Sequence, residues 1–415
     1  MSEARVSQRS RPLVALIAVI FFVISLLTNI IGPLIPDIIK SFDMSLTMAA
    51  FLPFSFFIAY AVMSIPAGFV IEHVGEKAIL LGGFALALVG SLLFSLDPSY
   101  RTALLSLFLI GLGMAALQVA INPLLRVAGG EEHYAFNAVL VQLVFGLASF
   151  VSPLIYSHYA AGFDHVDDPL GHLLARVVPA SLPWSSMYWI FSAVVVVMLA
   201  VIAVWRLPRV ERKDDERVGA LTTYVALLRS RVVWAYFVGI FAYVGVEQGL
   251  ANWMSQFLAE RHGFNPQVEG AAAVSNFWLL MTVGAVVGLV LLKLVDSRKV
   301  LWMFSVATLV AFSAALFGPG EVSRYAFIAT GFTISVMWSI VFSLALNSLD
   351  KHHGTFSGIL CTGIVGGAVV PFVIGFVGDH IGLQGGLCVL YAPLLYILSM
   401  GFWAKPLITN KTIGA

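Results

Sequence analysis

The chain has 415 residues, of which 60% are hydrophobic and 11% are charged, with a net charge of +1 and a mean hydropathy of +0.95. A water-soluble domain carries roughly 25% charged residues, so this composition excludes the soluble class. Cys361 and Cys388 lie in separate apolar stretches, which argues against a disulfide framework or a cysteine metal site.

Long apolar stretches recur along the chain, and each has the length of about 20 residues that a helix needs to cross a bilayer. They predict twelve spans, at 12–36, 47–72, 78–96, 102–126, 135–160, 184–206, 232–259, 269–293, 299–317, 323–349, 354–379 and 386–404. One densely charged segment, 206–231, interrupts the series and cannot lie in lipid. The pattern predicts an all-α integral membrane protein, with six-helix bundles at 1–205 and 232–415 joined by this linker. Two similar membrane bundles of this kind indicate a transporter.

The positive charges are unevenly distributed between the two sides of the predicted helices. With the N-terminus inside, one side collects 18 of the 23 Lys and Arg residues. By the positive-inside rule, this side, which we call the inner end, is cytoplasmic and carries both termini and the linker. The opposite side is called the outer end. The first apolar stretch is too long for a signal-peptide core, so it is expected to be a retained span of a multi-pass plasma-membrane protein, which in a bacterium means the inner membrane.

The one sizeable outer loop, 161–183, is rich in acidic residues and histidine. Its candidate metal ligands are Asp164, His165, Asp167, Asp168 and His172. Because no helical spacing holds these side chains together, a solvated acidic loop is favoured over a metal site. The chain shows no nucleotide-binding loop, and we predict no cofactor, no metal and no nucleic-acid partner.

Several short segments on the predicted helices resemble those of a known family. They are 29–36 (NIIGPLIP), 65–72 (IPAGFVIE), 111–113 with 118–123 (GLG and QVAINP), 243–247 (YVGVE), 342–344 (FSL) and 366–371 with 375–379 (GGAVVP and GFVGD). In this order the chain resembles the major facilitator superfamily, and within it the L-fucose/proton symporters and the related glucose/galactose transporters. The resemblance implies the major facilitator fold, in two pseudo-symmetric bundles, and transport of a sugar.

The connection between the second and third helices is similar to the superfamily's loop motif. The motif falls on Gly68, Glu72, Gly75 and Lys77, while His73 and Glu76 stand where a basic residue is usual. The resemblance implies a gating role at the inner end, in which Glu72 interacts with the N-terminal end of the eleventh helix. The alternative is an ordinary helix–turn–helix connection.

The chain departs from the resemblance at the positions that couple transport to protons. Symporters of the family carry a carboxylate four residues before the proline of the first helix and another four before the Asn-Pro pair of the fourth. Those positions hold Gly32 and Gln118 here, and neither side chain can take up a proton. Coupling through the family's usual pair is therefore not expected.

Glu247 is the one acidic residue far from both ends of a predicted span. It lies about 15 residues into the seventh helix, close to the bilayer midplane at 1.5 Å per residue. A carboxylate at this depth costs several kcal/mol, roughly, unless it is protonated, paired or bound to a cation, and no Lys or Arg lies at matching depth. We predict that Glu247 binds a coupling proton or sodium ion, or orients the substrate through hydrogen bonds to its hydroxyls; the alternative is a protonated carboxyl bonded to a neighbouring helix.

Other polar and aromatic side chains are expected near the same depth. Amides match the donor and acceptor pattern of sugar hydroxyls, and aromatic rings can stack on a pyranose. The predicted substrate contacts are Asn29, Gln118, Asn122, Gln142, Tyr243, Gln248, Asn252, Asn276, Trp278 and Trp338. For any single amide, an interhelical hydrogen bond without substrate is an equal alternative.

The sequence therefore predicts a monomeric secondary active transporter that moves a monosaccharide with a proton or sodium by alternating access. An uncoupled sugar facilitator and an exporter of drugs or metabolites are the alternatives within the transporter class. A membrane enzyme is the alternative outside it, and would need clustered catalytic side chains near one membrane face. His133, His352 and His353 are the candidates for such a cluster, and flanking of helices explains them better.

Overall fold

A computed structural model describes residues 10–129, 134–163, 166–207, 221–349 and 353–405. These residues are almost entirely helical. In chain order the α-helices are α1 (Arg11–Thr28), α2 (Ile31–Phe42), α3 (Leu46–Val74), α4 (Glu76–Leu96), α5 (Tyr100–Gly129), α6 (Tyr134–Ala160), α7 (Pro169–Val177), α8 (Ser186–Val204), α9 (Leu221–Leu228), α10 (Arg231–His262), α11 (Ala271–Leu294), α12 (Ser297–Phe317), α13 (Gly320–Ile334), α14 (Met337–Leu346), α15 (His353–Thr362), α16 (Gly366–Ile381), α17 (Leu383–Leu387) and α18 (Tyr391–Trp403).

Twelve segments of the described residues are long and apolar enough to cross a membrane. Four spans are composed of two α-helices in sequence: the first of α1 and α2, the tenth of α13 and α14, the eleventh of α15 and α16, and the twelfth of α17 and α18. Short helical turns precede α8 and α11 and lie between the two helices of the eleventh and twelfth spans. The predicted all-α fold with twelve spans is confirmed.

The first span is longer than predicted, because it continues past Pro36 to Phe42. Its break falls earlier, at Asn29 and Ile30, where α1 gives way to α2. Proline inside a membrane helix is tolerated when neighbouring helices pack around the freed backbone. The consequence is that Asp37, one residue beyond the predicted end, lies within the span and is buried.

The outer loop contains a short helix, α7, where the sequence predicted irregular structure. Asp168 caps its N-terminus by accepting a hydrogen bond from the Gly171 N–H at 2.7 Å, and that bond holds the pKa of the Asp168 carboxyl below its usual value. His158 Nε2 lies 3.2 Å from the same carboxylate. Asp168 therefore has a structural role in the loop, and Asp164 and His165 lie outside the described residues.

Small residues bring neighbouring spans close together. A Cβ on Gly83 of the third span would lie 2.9 Å from the carbonyl oxygen of Gly113 on the fourth. Gly331 of the tenth span packs in the same way against the backbone of Phe277 on the eighth. Lipid tails are as apolar as the helix surfaces, so close van der Waals packing of this kind is what holds membrane helices together.

Candidate functional site

Glu247 lies midway between the ends of α10, Arg231 and His262, and its side chain is half-buried. Gln248 Nε2 donates a hydrogen bond of 3.0 Å to Glu247 Oε1. Tyr243, one turn earlier on the same helix, interacts with the same carboxylate through its hydroxyl. Both neighbours present donors, and both are buried. The structure thus brings three of the predicted residues together at mid-depth: the carboxylate of Glu247 and its two donors, Gln248 and Tyr243.

An aromatic surface adjoins this carboxylate from the tenth span. The ring centroids of Tyr243 and Trp338 are 5.9 Å apart, and Trp338 stacks on Phe342 with centroids 5.7 Å apart and planes 21° from parallel. Trp338 is half-buried, near the start of α14 and just after the break in the tenth span. An aromatic face that remains partly open beside a carboxylate can accept the apolar face of a sugar ring.

Two predicted side chains hold buried N–H groups that have no hydrogen-bond partner among the described residues. They are Asn252 Nδ2, on α10, and Trp278 Nε1, on α11. Both residues are about 3% exposed. Buried donors are nearly always paired in folded proteins, so an unpaired one needs an explanation such as water or a ligand. These two atoms are the strongest candidates in the predicted set for donors to a solute.

Asn29 makes interhelical contacts, and its predicted contact with the substrate stays a prediction. Its Nδ2 donates to Ser149 Oγ at 2.8 Å and to Ser25 Oγ at 3.3 Å, and Ser25 Oγ donates to the Phe145 carbonyl at 2.6 Å. The amide nitrogen therefore joins the first span to the fifth, directly at the break between α1 and α2. The interhelical alternative describes the observed contacts of Asn29.

The side chains of Gln118, Asn122 and Asn276 do not join the group around Glu247 through any described hydrogen bond. Asn122 is exposed and donates to the carbonyl of Gln118, one turn earlier on the same helix, at 3.1 Å. Asn276 donates to the Ala272 carbonyl of its own helix at 2.9 Å. Their part in substrate binding stays a prediction.

Gln142 lies on α6, nearer the inner end of the fifth span, and is exposed. One turn further along the helix, Gly146 packs directly against Thr282 of the eighth span. Residues four apart share a helix face, so Gln142 lies on the face that points towards the last six spans. The part of Gln142 in substrate binding stays a prediction.

The outer end is closed around the buried carboxylate of Asp37. Tyr156 on the fifth span donates its hydroxyl to Asp37 Oδ2 at 2.6 Å. Gln267 on the eighth span donates Nε2 to Asp37 Oδ1 at 3.1 Å and to the Ala160 carbonyl at 3.4 Å. Asp37 is 7% exposed. This cluster connects the first six spans to the last six.

A second carboxylate makes the reciprocal connection between the second and eleventh spans. Asp379, at the outer end of α16, accepts hydrogen bonds from the backbone N–H groups of Leu46 at 2.8 Å and Thr47 at 2.9 Å. It caps the N-terminus of α3, where a negative charge is favourable. Below it, the rings of Phe51 and Phe372 pack with centroids 4.8 Å apart.

The sequence-based reasoning missed Asp37, Gln267 and Asp379 because it treated them as ends of helices. Asp37 lies one residue past Pro36, where the first span is predicted to end. The signal that could have found it is the apolar run Ile38–Ile39 after Asp37, which extends the helix face beyond the proline.

The predicted gating residues lie at the inner end. Gly75 adopts a φ of 81°, in the region that favours glycine, and connects α3 to α4. Gly68 is half-buried in α3, and the side chain of Glu72 lies outside the described residues. The predicted contact of Glu72 with the eleventh span therefore stays a prediction.

Lys77 contacts the sixth span. Its Nζ donates to the carbonyl oxygens of Ala203 at 2.8 Å and Trp205 at 3.0 Å, at the C-terminal end of α8. A cation at this end satisfies free carbonyls and complements the helix dipole. Of the inner-end histidines named as candidates for an enzyme, His133, His352 and the side chain of His353 lie outside the described residues.

Twelve spans with a polar cluster at mid-depth define a polytopic membrane transporter. The family model of the Major Facilitator Superfamily matches residues 17–371, so the chain belongs to this family. The resemblance drawn from the sequence is confirmed, and its relatives are transporters, so the enzyme alternative is set aside.

Two curated relatives match most of the chain. It is 29% identical over 382 residues to a glucose/galactose transporter of Brucella abortus, covering 89% of this chain and 88% of the relative. It is 24% identical over 386 residues to the L-fucose-proton symporter of Escherichia coli, covering 89% of this chain and 87% of that protein.

Solved structures share the fold. The E. coli fucose:proton symporter superposes with a TM-score of 0.67 at 21% identity, over 96% of this chain and 100% of that one. A bacterial homologue of the human lysosomal transporter Spinster, described as inward-facing and occupied, superposes with a TM-score of 0.75 at 14% identity, over 94% of this chain and 96% of that one.

Proposed function

We propose that this protein is a proton-coupled transporter of a monosaccharide, working by alternating access. The observation that carries the proposal is the half-buried Glu247 at mid-depth, in contact with Gln248 and Tyr243 and beside the aromatic surface of Trp338. The curated relatives named for glucose, galactose and L-fucose support a sugar as the solute. Glu247 takes the coupling role, since Gly32 and Gln118 cannot ionise.

The cation proposed for Glu247 is a proton rather than sodium. A sodium ion would need several oxygen ligands, whereas Gln248 turns its nitrogen towards the carboxylate. A single proton neutralises a carboxylate without further ligands, and charge neutralisation lowers the cost of its position at mid-depth. The proton would bind to a Glu247 oxygen from one side and leave to the other.

The proposed substrate contacts follow from the donors that lack partners and from the aromatic surface. The N–H groups of Asn252 and Trp278 would donate to sugar hydroxyls, and the rings of Tyr243 and Trp338 would pack on the apolar face of the ring. Binding a sugar here would satisfy buried groups that are otherwise unpaired, which favours a polyhydroxylated solute over an apolar one.

In this proposal the structure represents a state closed at the outer end and open at the inner end. The side-chain contacts described between the first six and last six spans lie between the outer end and mid-depth, as for Asp37 with Gln267 and Asp379 with Thr47. The bundles 1–205 and 232–415 would rock about the mid-depth site, as one monomer with the inner end in the cytoplasm of a bacterium.

The test is uptake of labelled hexoses into proteoliposomes, under a pH gradient and separately under a sodium gradient. We expect a pH gradient to drive accumulation above the external concentration, and a sodium gradient to have no effect. Equilibration without accumulation under both gradients would instead establish an uncoupled facilitator, the reading that Gly32 and Gln118 favour. Accumulation driven by sodium alone would overturn the choice of proton. Preferential competition by apolar drugs over sugars would overturn the choice of solute.

A further inference from the structure

A groove of about 430 Å³ opens at the inner end between the ninth and twelfth spans, far from the mid-depth cluster. Its walls are the first turns of α12 and the last turn of α18, which meet at Gly401. A Cβ at Gly401 would lie 3.2 Å from the Trp302 Cβ and 3.4 Å from the Arg298 carbonyl oxygen. The glycine therefore allows the two helices to approach closely and form the floor of the groove.

One end of the groove is basic. Arg298 and Lys299 lie in the first turn of α12, and both line the groove. Two cations at a helix N-terminus are unfavourable, because that end already carries partial positive charge. Asp296 caps the helix, and its Oδ1 accepts hydrogen bonds from the backbone N–H of Arg298 at 2.9 Å and from Arg298 Nε at 3.3 Å. A guanidinium has five N–H donors, and the Nε bond uses one of them. Lys299 is exposed and forms no ion pair with any residue the structure describes.

The rest of the groove is apolar and aromatic. Trp302 is 42% exposed, Met303 50% and Phe402 69%. Trp302 and Met303 lie one turn further into α12 than Arg298 and Lys299, whereas Phe402 lies in the last turn of α18, at the inner end. The groove thus has a cationic end and an apolar wall. This combination matches an anionic phospholipid, with its phosphate at the membrane surface and its acyl chains against the apolar wall.

We propose that this groove is a binding site for an anionic phospholipid, with the headgroup phosphate held by Arg298 and Lys299 at the α12 N-terminus. The acyl chains lie against Trp302, Met303 and Phe402. The net negative charge of an anionic lipid at this place relieves the repulsion between the two cations and the helix dipole. A zwitterionic lipid has no net charge and relieves that repulsion less. The site needs the inner end to face the anionic lipids of the cytoplasmic leaflet, which is the predicted orientation.

The first experiment measures lipid retention by native mass spectrometry of the purified full-length protein. The probe is phosphatidylglycerol in competition with phosphatidylcholine. Each basic residue contributes about tenfold or less, so Arg298→Gln with Lys299→Gln should weaken retention of the tightest phosphatidylglycerol by about tenfold to thirtyfold. The matched control is Arg229→Gln with Arg231→Gln, which removes the same charge from exposed inner-end residues. An equal loss in both variants would show only a general attraction to basic surface and overturn the site.

The second experiment locates the lipid by fluorescence in the intact protein. The signal of Trp302 is isolated as the difference between the native protein and Trp302→Phe, in liposomes containing brominated phospholipid. Brominated phosphatidylglycerol should quench this difference signal more strongly than brominated phosphatidylcholine at equal mole fraction. Added inorganic phosphate should not reverse the quenching. Equal quenching by both lipids would overturn the proposal, and reversal by phosphate would assign the basic end to a free anion.

Discussion

Asp37 on the first span accepts a hydrogen bond of 3.1 Å from Gln267 on the eighth, across the boundary between the first six and the last six spans. Alternating access requires such contacts to break whenever the outer end opens. Tyr156, the other donor to Asp37, belongs to the first six spans and can stay in place during that movement. The Gln267 bond is therefore the part of the cluster that opening would break.

Gln267→Ala should favour the outward-open state. A hydrogen bond to a charged group contributes roughly 1.5–3 kcal/mol, so the ratio of outward-open to inward-open molecules should rise by about tenfold or more. The measurement is the distance between spin labels at two exposed outer-end positions, Leu96 and Val322, after replacement of the native cysteines.

The control for this experiment is Gln384→Ala. Gln384 Nε2 also donates to a partner on another span, the Leu316 carbonyl, but both residues belong to the last six spans. It should leave the label distances unchanged. If Gln267→Ala behaves like this control, Asp37 has no part in closing the outer end.

Glu247→Gln should abolish accumulation of sugar while exchange of labelled for unlabelled sugar continues. The amide keeps the size of the side chain and can still accept a bond from Gln248, yet it cannot take up a proton. Glu260→Gln is the matched control, because Glu260 is exposed near the outer end of the same helix. Full accumulation by Glu247→Gln under a pH gradient would remove Glu247 from the coupling role.

Gly32→Ala should inactivate transport by preventing closure of the outer end. A Cβ at this position would collide with the carbonyl of Ala251 on the seventh span. The control is Gly82→Ala, since a Cβ on Gly82 meets nothing within 4 Å. Initial rates of uptake should fall strongly in the first variant and change little in the second. Normal transport by Gly32→Ala would show that the first and seventh spans do not need this approach.

This contact also explains the departure from the sugar/proton symporters at the same position. A carboxylate side chain at residue 32 would project into the backbone of Ala251 and Asn252 in the closed arrangement. The glycine replaces an ionisable group with a close helix contact. The described contact at this position is therefore one of packing, and under the proposed function Glu247 is the carboxylate that couples.

Trp338→Ala should raise the KM for sugar about tenfold with a smaller effect on the maximum rate. The substitution removes the ring that adjoins Tyr243 and that would pack on the sugar, a contact of roughly 0.5–1.5 kcal/mol beyond its buried area. Trp338→Phe retains an aromatic face and should recover most of the affinity. Equal KM values for Trp338→Ala and the native protein would place the sugar elsewhere.

The sequence by itself determined the fold class and the number of spans, and it identified Glu247 as a candidate for the coupling role. Burial of a polar backbone in lipid permits few structures, so a run of about 20 apolar residues is nearly sufficient evidence for a helix. A lone carboxylate in such a run has a high free-energy cost of burial in lipid, so it can be recognised from the sequence before its neighbours are known. The structure brings the ring of the predicted Trp338 into contact with Tyr243, and the part of Trp338 in substrate binding stays a prediction.

Only the tertiary structure decided which polar residues serve packing and which remain free for a solute. Asn29 and Asn252 have the same side chain on helices of similar character, yet Asn29 bonds to Ser149 and Asn252 Nδ2 has no described partner. The link that Asp37 makes between the first six and the last six spans depends on Gln267, which lies 230 residues away along the chain. Helical spacing assigns a residue to a face of its own helix. Which neighbour meets that face depends on how twelve helices pack together, and a single sequence contains no local signal for that arrangement.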